Sequence, residues 1–258
     1  FNNNDRPGII LSSAVKKYAD YYGVVCGKKT VFFTNNDSAY ESAISLNKKG
    51  LNVEAIIDIR EKSDSELVKE VEKIGIQIYW SHTVVDTRGY KRLKEITIMP
   101  LSKDGMSVIE KKINMKCNCL AIAGGWTPAV HLFTQSGGKL KFRKEDQVFL
   151  PDVSKSKQIS IGSCNGDFKL NEIIKNLLLN VKNFLEIENT EYDSLKIECP
   201  SDNVKKNIWL LPSDKVIGKT KPFVDFQNDA TAKDIKLALR EGFKSIEHVK
   251  RYTTTGMG

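Results

Sequence analysis

The sequence predicts an α/β fold built round a parallel sheet, with an antiparallel insertion and a small helical region at the end. Three observations predict it. Between residues 29 and 74, short apolar runs alternate with segments of helical periodicity. That alternation is the signature of parallel strands joined by right-handed crossovers. From Gly75 the helical pattern gives way to closely spaced short strands, and after residue 126 Gly-rich turns and isolated helices take over.

Each element follows from local chemistry. Residues 9–22 carry apolar positions at helical spacing and stop before Gly23. Residues 29–33 are a strand, and 37–49 a helix closed by Gly50 as its C-terminal stop. Residues 52–59 form the next strand, and 64–74 a helix stopped by Gly75. Residues 76–80, 82–88, 93–101 and 107–111 read as strands of the antiparallel insertion. Residues 117–123 return as a buried strand running into Gly124-Gly125. A strand at 158–161 leads into Gly162-Ser-Cys-Asn-Gly166, and 170–184 is an amphipathic helix. Residues 185–220, with Pro200 and Pro212 in a Ser/Asp/Lys-rich stretch, read as a linker. Two helices, 231–241 and 245–251, close the chain, and Thr231 with Asp234 forms a capping pair at the first.

The 258 residues suggest one or two domains, and 40% apolar residues suffice for a packed core. No apolar run approaches the roughly 18 residues of a membrane-spanning helix. The chain begins at Phe1 without a targeting leader, and the expectation is a window cut through a larger subunit. Forty Lys+Arg against 32 Asp+Glu give a net charge of +8, but the basic residues are spread rather than gathered in a stripe. No nucleic-acid-reading motif accompanies them. A basic face toward an acidic partner subunit or a phosphate-bearing cofactor suits this charge better. Five scattered Cys argue against a disulfide framework and for a reducing, cytoplasmic compartment. Cys117 and Cys119 have a C-x-C spacing that would suit a metal. They lie in a strand reading, however, and alternate residues of a strand share one face, so they are expected as buried small side chains. The three His show no metal-ligand spacing, and no metal site is expected.

Two turns carry the cofactor signal. After the first strand, a dinucleotide fingerprint would place Gly, Gly and a small residue where Thr34, Asn36 and Ala39 stand, with an acidic residue where Asp58 ends the next strand. The acid and the third residue fit, but the leading glycines are absent, and a Cβ at the second blocks approach of the pyrophosphate. The turn therefore reads as structural; any ligand there would meet hydroxyl and amide side chains. Residues 120–128, Leu-Ala-Ile-Ala-Gly-Gly-Trp-Thr-Pro, are similar to the Ala-Thr-Gly-x-x-Pro crossover of two-domain flavoprotein reductases. Gly124 and Gly125 are cofactor-contact candidates there. Gly162, Asn165 and Gly166 are candidates at the late strand-to-helix turn, whose usual acidic residue is absent. The alternative for both is a pair of Gly-rich turns in an α/β domain.

The tail is the most distinctive part: Phe-Val-Asp-Phe-Gln-Asn-Asp-Ala-Thr-Ala-Lys-Asp-Ile at 223–235 and Glu-Gly-Phe-Lys-Ser-Ile-Glu-His-Val-Lys-Arg-Tyr-Thr-Thr-Thr-Gly-Met at 241–257. With Asn-Asp-Arg-Pro-Gly at 4–8, Phe-Thr-Asn-Asn-Asp-Ser-Ala-Tyr at 33–40 and Gly-Gly-Trp-Thr-Pro-Ala-Val-His-Leu-Phe at 124–133, these strings resemble the alpha-subunit group of heterotetrameric sarcosine oxidases, from end to end of the chain. Relatives acting on other N-methylated or secondary amino acids share some of them.

The resemblance implies an incomplete two-dinucleotide-binding-domain fold of the FAD/NAD(P)-binding, Rossmann-like type, followed by a small helical domain. Residues 1–28 would belong to the first dinucleotide-binding domain and 29–125 to the second with its antiparallel insertion. Residues 126–190 would return to the first. Residues 191–258 would be a linker and a small domain resembling a cluster-binding domain without its cysteines, since Asp225 and Gln227 occupy the C-x-C spacing. It also implies oxidation of sarcosine to glycine, with the one-carbon unit passed to tetrahydrofolate or released as formaldehyde and electrons passed to oxygen. The expected cofactors are NAD in this subunit, FMN at the subunit contact and FAD in a partner; the expected partners are the beta, gamma and delta subunits. No residue here is expected to be catalytic. Lys250, Arg251 and Thr253–Thr255 are candidates to reach a flavin phosphate, or else form a solvated basic helix end. The alternative function is a cofactor-free interaction module.

Overall fold

A computed structural model describes residues 1–186 and 207–257. The chain divides into two compact units, residues 1–124 with 208–258 and residues 125–207. In chain order the first unit runs β1 (Ile9–Leu11), α1 (Ser12–Tyr22), β2 (Thr30–Thr34), α2 (Ser38–Lys48), β3 (Val53–Asp58), α3 (Glu66–Lys73), β4 (Gln77–Trp80), β5 (His82–Arg88), β6 (Glu95–Pro100), β7 (Ile113–Lys116) and β8 (Cys119–Ala123). Five of these strands form one parallel sheet in the order β1-β8-β2-β3-β4, and β5-β6-β7 form an antiparallel sheet.

Strand β2 shows why the parallel sheet reads as continuous apolar runs. All five of its residues are buried. Phe32 joins a cluster with Val15, Tyr40, Leu46 and Val71 from the helices. Its neighbours Val31 and Phe33 join a second cluster with Val84, Ile96 and Ile98 of the antiparallel sheet. Successive side chains leave a strand on opposite faces, and here both faces are covered, so the alternation has no polar slot. Burying a side chain such as Phe32 contributes roughly 2 kcal/mol.

Three expectations about elements of this unit need correction. Residues 9–11 are a strand: Ile9, Ile10 and Leu11 pair with Leu120, Ala121 and Ile122, and the helix starts at Ser12. A three-residue apolar run beside a helical pattern cannot be separated from it by periodicity. Residues 77–80 extend the parallel sheet on β3 rather than opening the insertion. The last insertion strand is Ile113–Lys116, whose Ile113 and Met115 pack on the second cluster, whereas residues 107–111 contribute one isolated bridge, Leu101 to Val108.

The second unit comprises α4 (His131–Gln135), a hairpin of β9 (Lys139–Arg143) and β10 (Val148–Val153), a tight 3-10 turn at Gly162–Asn165 and α5 (Leu170–Leu185). The strand expected at 158–161 is irregular chain. The hairpin was not among the expected elements, although β9 alternates charged and apolar residues in the period-2 pattern of a half-exposed strand.

Residues 187–206 of the expected linker lie outside the described residues. Beyond them Ile208 and Leu211 pack on the second cluster of the first unit. The tail adds β11 (Phe223–Asp225), β12 (Ala230–Thr231), α6 (Ala232–Arg240) and α7 (Ile246–Thr253). Its entry is clasped by the first residues of the chain: the Lys221 and Phe223 N–H groups donate to Asn2 Oδ1 at 2.6 Å and Asn4 Oδ1 at 2.8 Å. Asp234 Oδ2 accepts from the Thr231 N–H at 2.8 Å and hydroxyl at 2.7 Å, the expected capping pair.

Candidate functional site

In an open parallel sheet, ligands gather outside the carboxyl ends of the strands. Here that edge carries the turn from β2 to α2, and its side chains are tied to one another. The Asn36 N–H donates to Thr34 Oγ1 at 3.1 Å, and that hydroxyl donates to the Asn36 carbonyl at 2.7 Å. Asn36 Oδ1 accepts from the Ser38 N–H at 3.0 Å, so an amide side chain satisfies a donor at the start of α2. Asn35 Nδ2 reaches the Gly124 carbonyl at 3.1 Å and Asn36 Nδ2 the Ala123 carbonyl at 3.3 Å. The hydroxyl and amide groups expected to meet a ligand are thus engaged within the protein. Ala39, in the third small-residue slot, is fully buried against the helix-side cluster, the close packing that slot serves in the fingerprint.

The acidic slot is occupied as well, by a partner that the spacing did not reveal. Asp58 Oδ1 accepts the Arg60 N–H at 2.9 Å and Nε at 3.1 Å, and its Oδ2 accepts Arg60 Nη2 at 2.7 Å and the Tyr40 hydroxyl at 2.9 Å. Arg60 Nη2 also donates to Asp37 Oδ1 at 2.7 Å. The Arg60 side chain is only 5% exposed. Burial opposes its charge, but the hydrogen bonds and charges of Asp58 and Asp37 outweigh burial and hold the guanidinium protonated. Burial, reinforced by the Asp58 charge, drives the Tyr40 hydroxyl above its ordinary range, so it stays a donor. Asp37 Oδ2 and Arg60 Nη1 are buried without partners. A ribose hydroxyl would have to displace the guanidinium to reach Asp58. The one sequence signal for this lock is an Arg two residues past the acid, Asp-Ile-Arg, at the end of an otherwise apolar strand.

Gly124 ends the crossover strand, and a Cβ built there meets no heavy atom within 4 Å. Gly125 follows with φ 109°, a conformation that favours glycine. Beside this edge lies an apolar cavity of about 190 Å3, walled by Phe1, Phe33, Ile59, Ile122, Ile208 and Leu211.

In the second unit, Gly162, Asn165 and Gly166 stand together in one tight turn. The Gly166 N–H donates to the Ser163 carbonyl at 3.2 Å and the Asp167 N–H to the Gly162 carbonyl at 3.1 Å. Gly166 has φ 82°, a conformation that favours glycine, and a Cβ there would lie 2.6 Å from Leu150 Cδ2, so the turn's own backbone accounts for the residue.

The remaining candidates are resolved by burial. Cys117 and Cys119 are both buried, as expected, but they belong to opposite clusters. Strand β8 begins only at Cys119, so Cys117 lies before it, where the chain turns from β7. Burial pushes their thiols up to about 12 and about 11, and both stay protonated. Neither behaves as a thiolate ligand or nucleophile at neutral pH. Arg251 is exposed on α7. The hydroxyls of Thr253, Thr254 and Thr255 are engaged locally: Thr253 Oγ1 with the Val249 carbonyl and Thr255 Oγ1, and Thr254 Oγ1 with the Thr253 carbonyl. Asp225 accepts N–H groups from Gln227 at 2.9 Å, Asn228 at 3.3 Å and Gly256 at 2.7 Å. A carboxylate thus gathers the amides at the first position of the C-x-C spacing.

Comparison with known proteins agrees with this arrangement. The family described as the sarcosine oxidase A3 domain matches residues 219–258. The sarcosine oxidase subunit alpha of Corynebacterium sp. (strain P-1) is 32% identical over 98% of this chain and 27% of its own. That of Rhizobium meliloti (strain 1021) is 30% identical over 100% of this chain and 25% of its own. The chain therefore spans about a quarter of the length of the curated relatives it matches. Among solved structures, the L-proline dehydrogenase of P. horikoshii superposes with a TM-score of 0.52 at 18% identity, over 100% of this chain and 46% of that one. A flavoprotein disulfide reductase of Escherichia coli gives 0.50 at 14% identity, over 71% of this chain and 40% of that one. These likenesses show the fold, an α/β arrangement of the FAD/NAD(P)-binding type with a small helical tail. The chain is thus similar along its whole length to a portion of sarcosine oxidase alpha subunits, and its last residues match the A3 domain.

Proposed function

We propose that this chain is a central segment of the alpha subunit of a flavin-dependent oxidoreductase complex of the sarcosine oxidase type. In this reading the complete cytoplasmic enzyme oxidises the N-methyl group of sarcosine, giving glycine and a one-carbon unit for tetrahydrofolate or release as formaldehyde. Electrons pass to oxygen, and the partners are beta, gamma and delta subunits. The observation that carries the reading is similarity to alpha subunits along the whole chain together with the A3-domain match at its end. The segment has a scaffolding and dinucleotide-binding role and supplies no catalytic residue.

The two cofactor-contact regions differ in how well they fit a dinucleotide. The turn from Thr34 to Ala39 does not fit: its polar side chains are engaged and Asp58 is locked by Arg60. The crossover fits better, because the space beside Gly124 is open. Residues 1–28 and 126–190 as parts of a first dinucleotide-binding domain, with Gly162, Asn165 and Gly166 facing NAD, complete the proposal. FMN at the subunit contact near Arg251 and FAD in a partner would supply the electron transfer. A second reading, a cofactor-free interaction module, is favoured by the self-satisfied turn at β2.

The test uses the complete subunit assembled with its partners. Denaturation and chromatography are expected to release NAD and flavin in fixed ratio from an assembly that consumes oxygen with sarcosine. A Gly124→Val variant, whose side chain meets nothing in the protein within 4 Å of its Cβ, is expected to assemble normally with its NAD content at least halved. Unchanged NAD content removes the crossover from the site. An assembly with no nucleotide and no sarcosine-dependent oxygen uptake overturns the reading.

A further inference from the structure

The amino end of the parallel sheet carries an open cleft of about 750 Å3. Lys28, Lys29, Arg92, Lys94 and Lys116 line it, and among the described residues no acidic side chain does. Lys29 is paired with Glu54 at 3.3 Å; the other four cations have no ion-pair partner among the described residues. The acidic groups near enough to act on the Cys117 thiol beneath the cleft, Glu54 and Glu95, are held by Lys29 and Arg88.

These cations sit on fixed backbone. A Cβ at Gly8 would lie 2.8 Å from the Asn118 carbonyl oxygen, and one at Gly27 would lie 2.7 Å from Asn118 Oδ1. Asn118 Oδ1 accepts the Lys29 N–H at 2.9 Å, and the Lys94 carbonyl accepts the Cys117 N–H at 3.2 Å. Four like charges are therefore anchored side by side, an arrangement whose repulsion is relieved by bound negative charge. The chain reaches the cleft at Val25 from the end of α1, three residues back, where the side chains are apolar and aromatic. Tyr21 is 78% exposed, and Tyr22, Val24 and Val25 are also exposed. The Tyr22 ring packs against Tyr21 and Tyr18 at 4.9 and 5.8 Å. Tyrosines and aliphatic side chains beside a charged rim are the anatomy of a protein interface. A small polyphosphate would use the cations and leave that flank idle.

We infer that this cleft docks an acidic segment of a partner polypeptide, its carboxylates entering among Lys28, Arg92, Lys94 and Lys116 and an apolar side chain settling beside Tyr22 and Val25. The inference rests on the multi-subunit reading and adds a location and a partner chemistry to it.

The test is zero-length carbodiimide crosslinking of the complete chain assembled with its partners, with the joined peptides identified by mass spectrometry. Crosslinks from Lys28, Lys94 or Lys116 to Asp or Glu of one partner segment are expected. The triple variant Lys28→Glu, Lys94→Glu, Lys116→Glu is expected to weaken association with that partner by ~100-fold, since reversed charges at an interface repel. Its Tm as a free chain is expected to stay level or rise, which separates lost docking from lost folding. Wild-type association in the triple variant, with no crosslink from the three lysines, overturns the inference and leaves the multi-subunit reading standing. Tight binding of tripolyphosphate that the triple variant loses, again without crosslinks, overturns it in favour of a small polyanion. If the wild-type chain joins no partner at all, both fall.

Discussion

The two ends of the parallel sheet handle charge in opposite ways. At the carboxyl end, Asp37, Asp58 and Arg60 are buried and bonded to one another, and the amides of Asn35 and Asn36 close onto β8. At the amino end, Lys28, Arg92, Lys94 and Lys116 stand around an open cleft without an ion-pair partner among the described residues. The fold family leads one to look for a ligand at the first end and nothing at the second. The charges point the other way. A buried polar group that has found its partners is unavailable to a ligand, whereas fixed charges left unpaired retain an unspent interaction.

The sharpest way to break this contrast is to remove Arg60. Arg60→Ala leaves Asp37 and Asp58 buried without their counter-charge, which costs about 3–5 kcal/mol. Urea denaturation is expected to show the midpoint fall accordingly. Arg60→Lys is expected to recover little of the loss, because one ammonium cannot reproduce the Nε and Nη2 contacts to Asp58 together with the Nη2 contact to Asp37. A drop below about 1 kcal/mol would mean that water reaches the acids. The carboxyl end would then be open after all.

Tyr40→Phe probes the same lock more gently. It deletes the 2.9 Å hydrogen bond to Asp58 Oδ2 but leaves the ring stacked 6.1 Å from Trp80. A hydrogen bond to a charged group contributes about 1.5–3 kcal/mol, and Arg60 still holds the carboxylate, so a loss near the lower figure is expected in the same denaturation assay. If the loss matched that of Arg60→Ala, the hydroxyl rather than the guanidinium would be the partner that closes the site.

Much of this was legible in the sequence, and the failures have physical causes. The alternation of strands and helices from residue 29 to 74 and the strand that ends at Ala123 are written in apolar runs that both faces of a covered sheet demand. Ala39 and Asp58 could be assigned to their slots because strand-turn-helix spacing is fixed. Arg60 could not, because its partner Asp37 is 23 positions away and meets it only through the crossover. The β9–β10 hairpin was legible in the alternation of Lys139, Lys141 and Arg143 with Leu140 and Phe142, but a run of five residues is too short to stand out from a loop. The amino-end cleft was invisible for a similar reason: its cations come from three separate stretches, at 28–29, 92–94 and 116, and only the fold brings them together.

Asp225 extends the comparison to a charge that is satisfied but only partly buried, and its effect is expected to be the smallest. Hydrogen bonds from the Asn228 side chain, then from the Gly256, Asn228 and Gln227 backbone amides, lower its carboxyl to about 2 from an ordinary 3.8. A carboxyl depressed in the folded state contributes stability that is present above the unfolded value and is lost as pH falls through the folded one. The contact between Asp225 and Gly256, 31 residues apart, is therefore expected to hold at pH 5 and to loosen between about pH 4 and pH 2. The Gly256 amide shift and its hydrogen exchange, followed through an acid titration, report it directly. An Asp225→Asn variant keeps an acceptor oxygen without the charge and is expected to flatten the titration while weakening the contact at every pH. A midpoint at 3.8 in the wild-type chain would show that the amides gather round Asp225 without holding its charge. The tail would then owe its closure to Val249 and Ala238 packing alone.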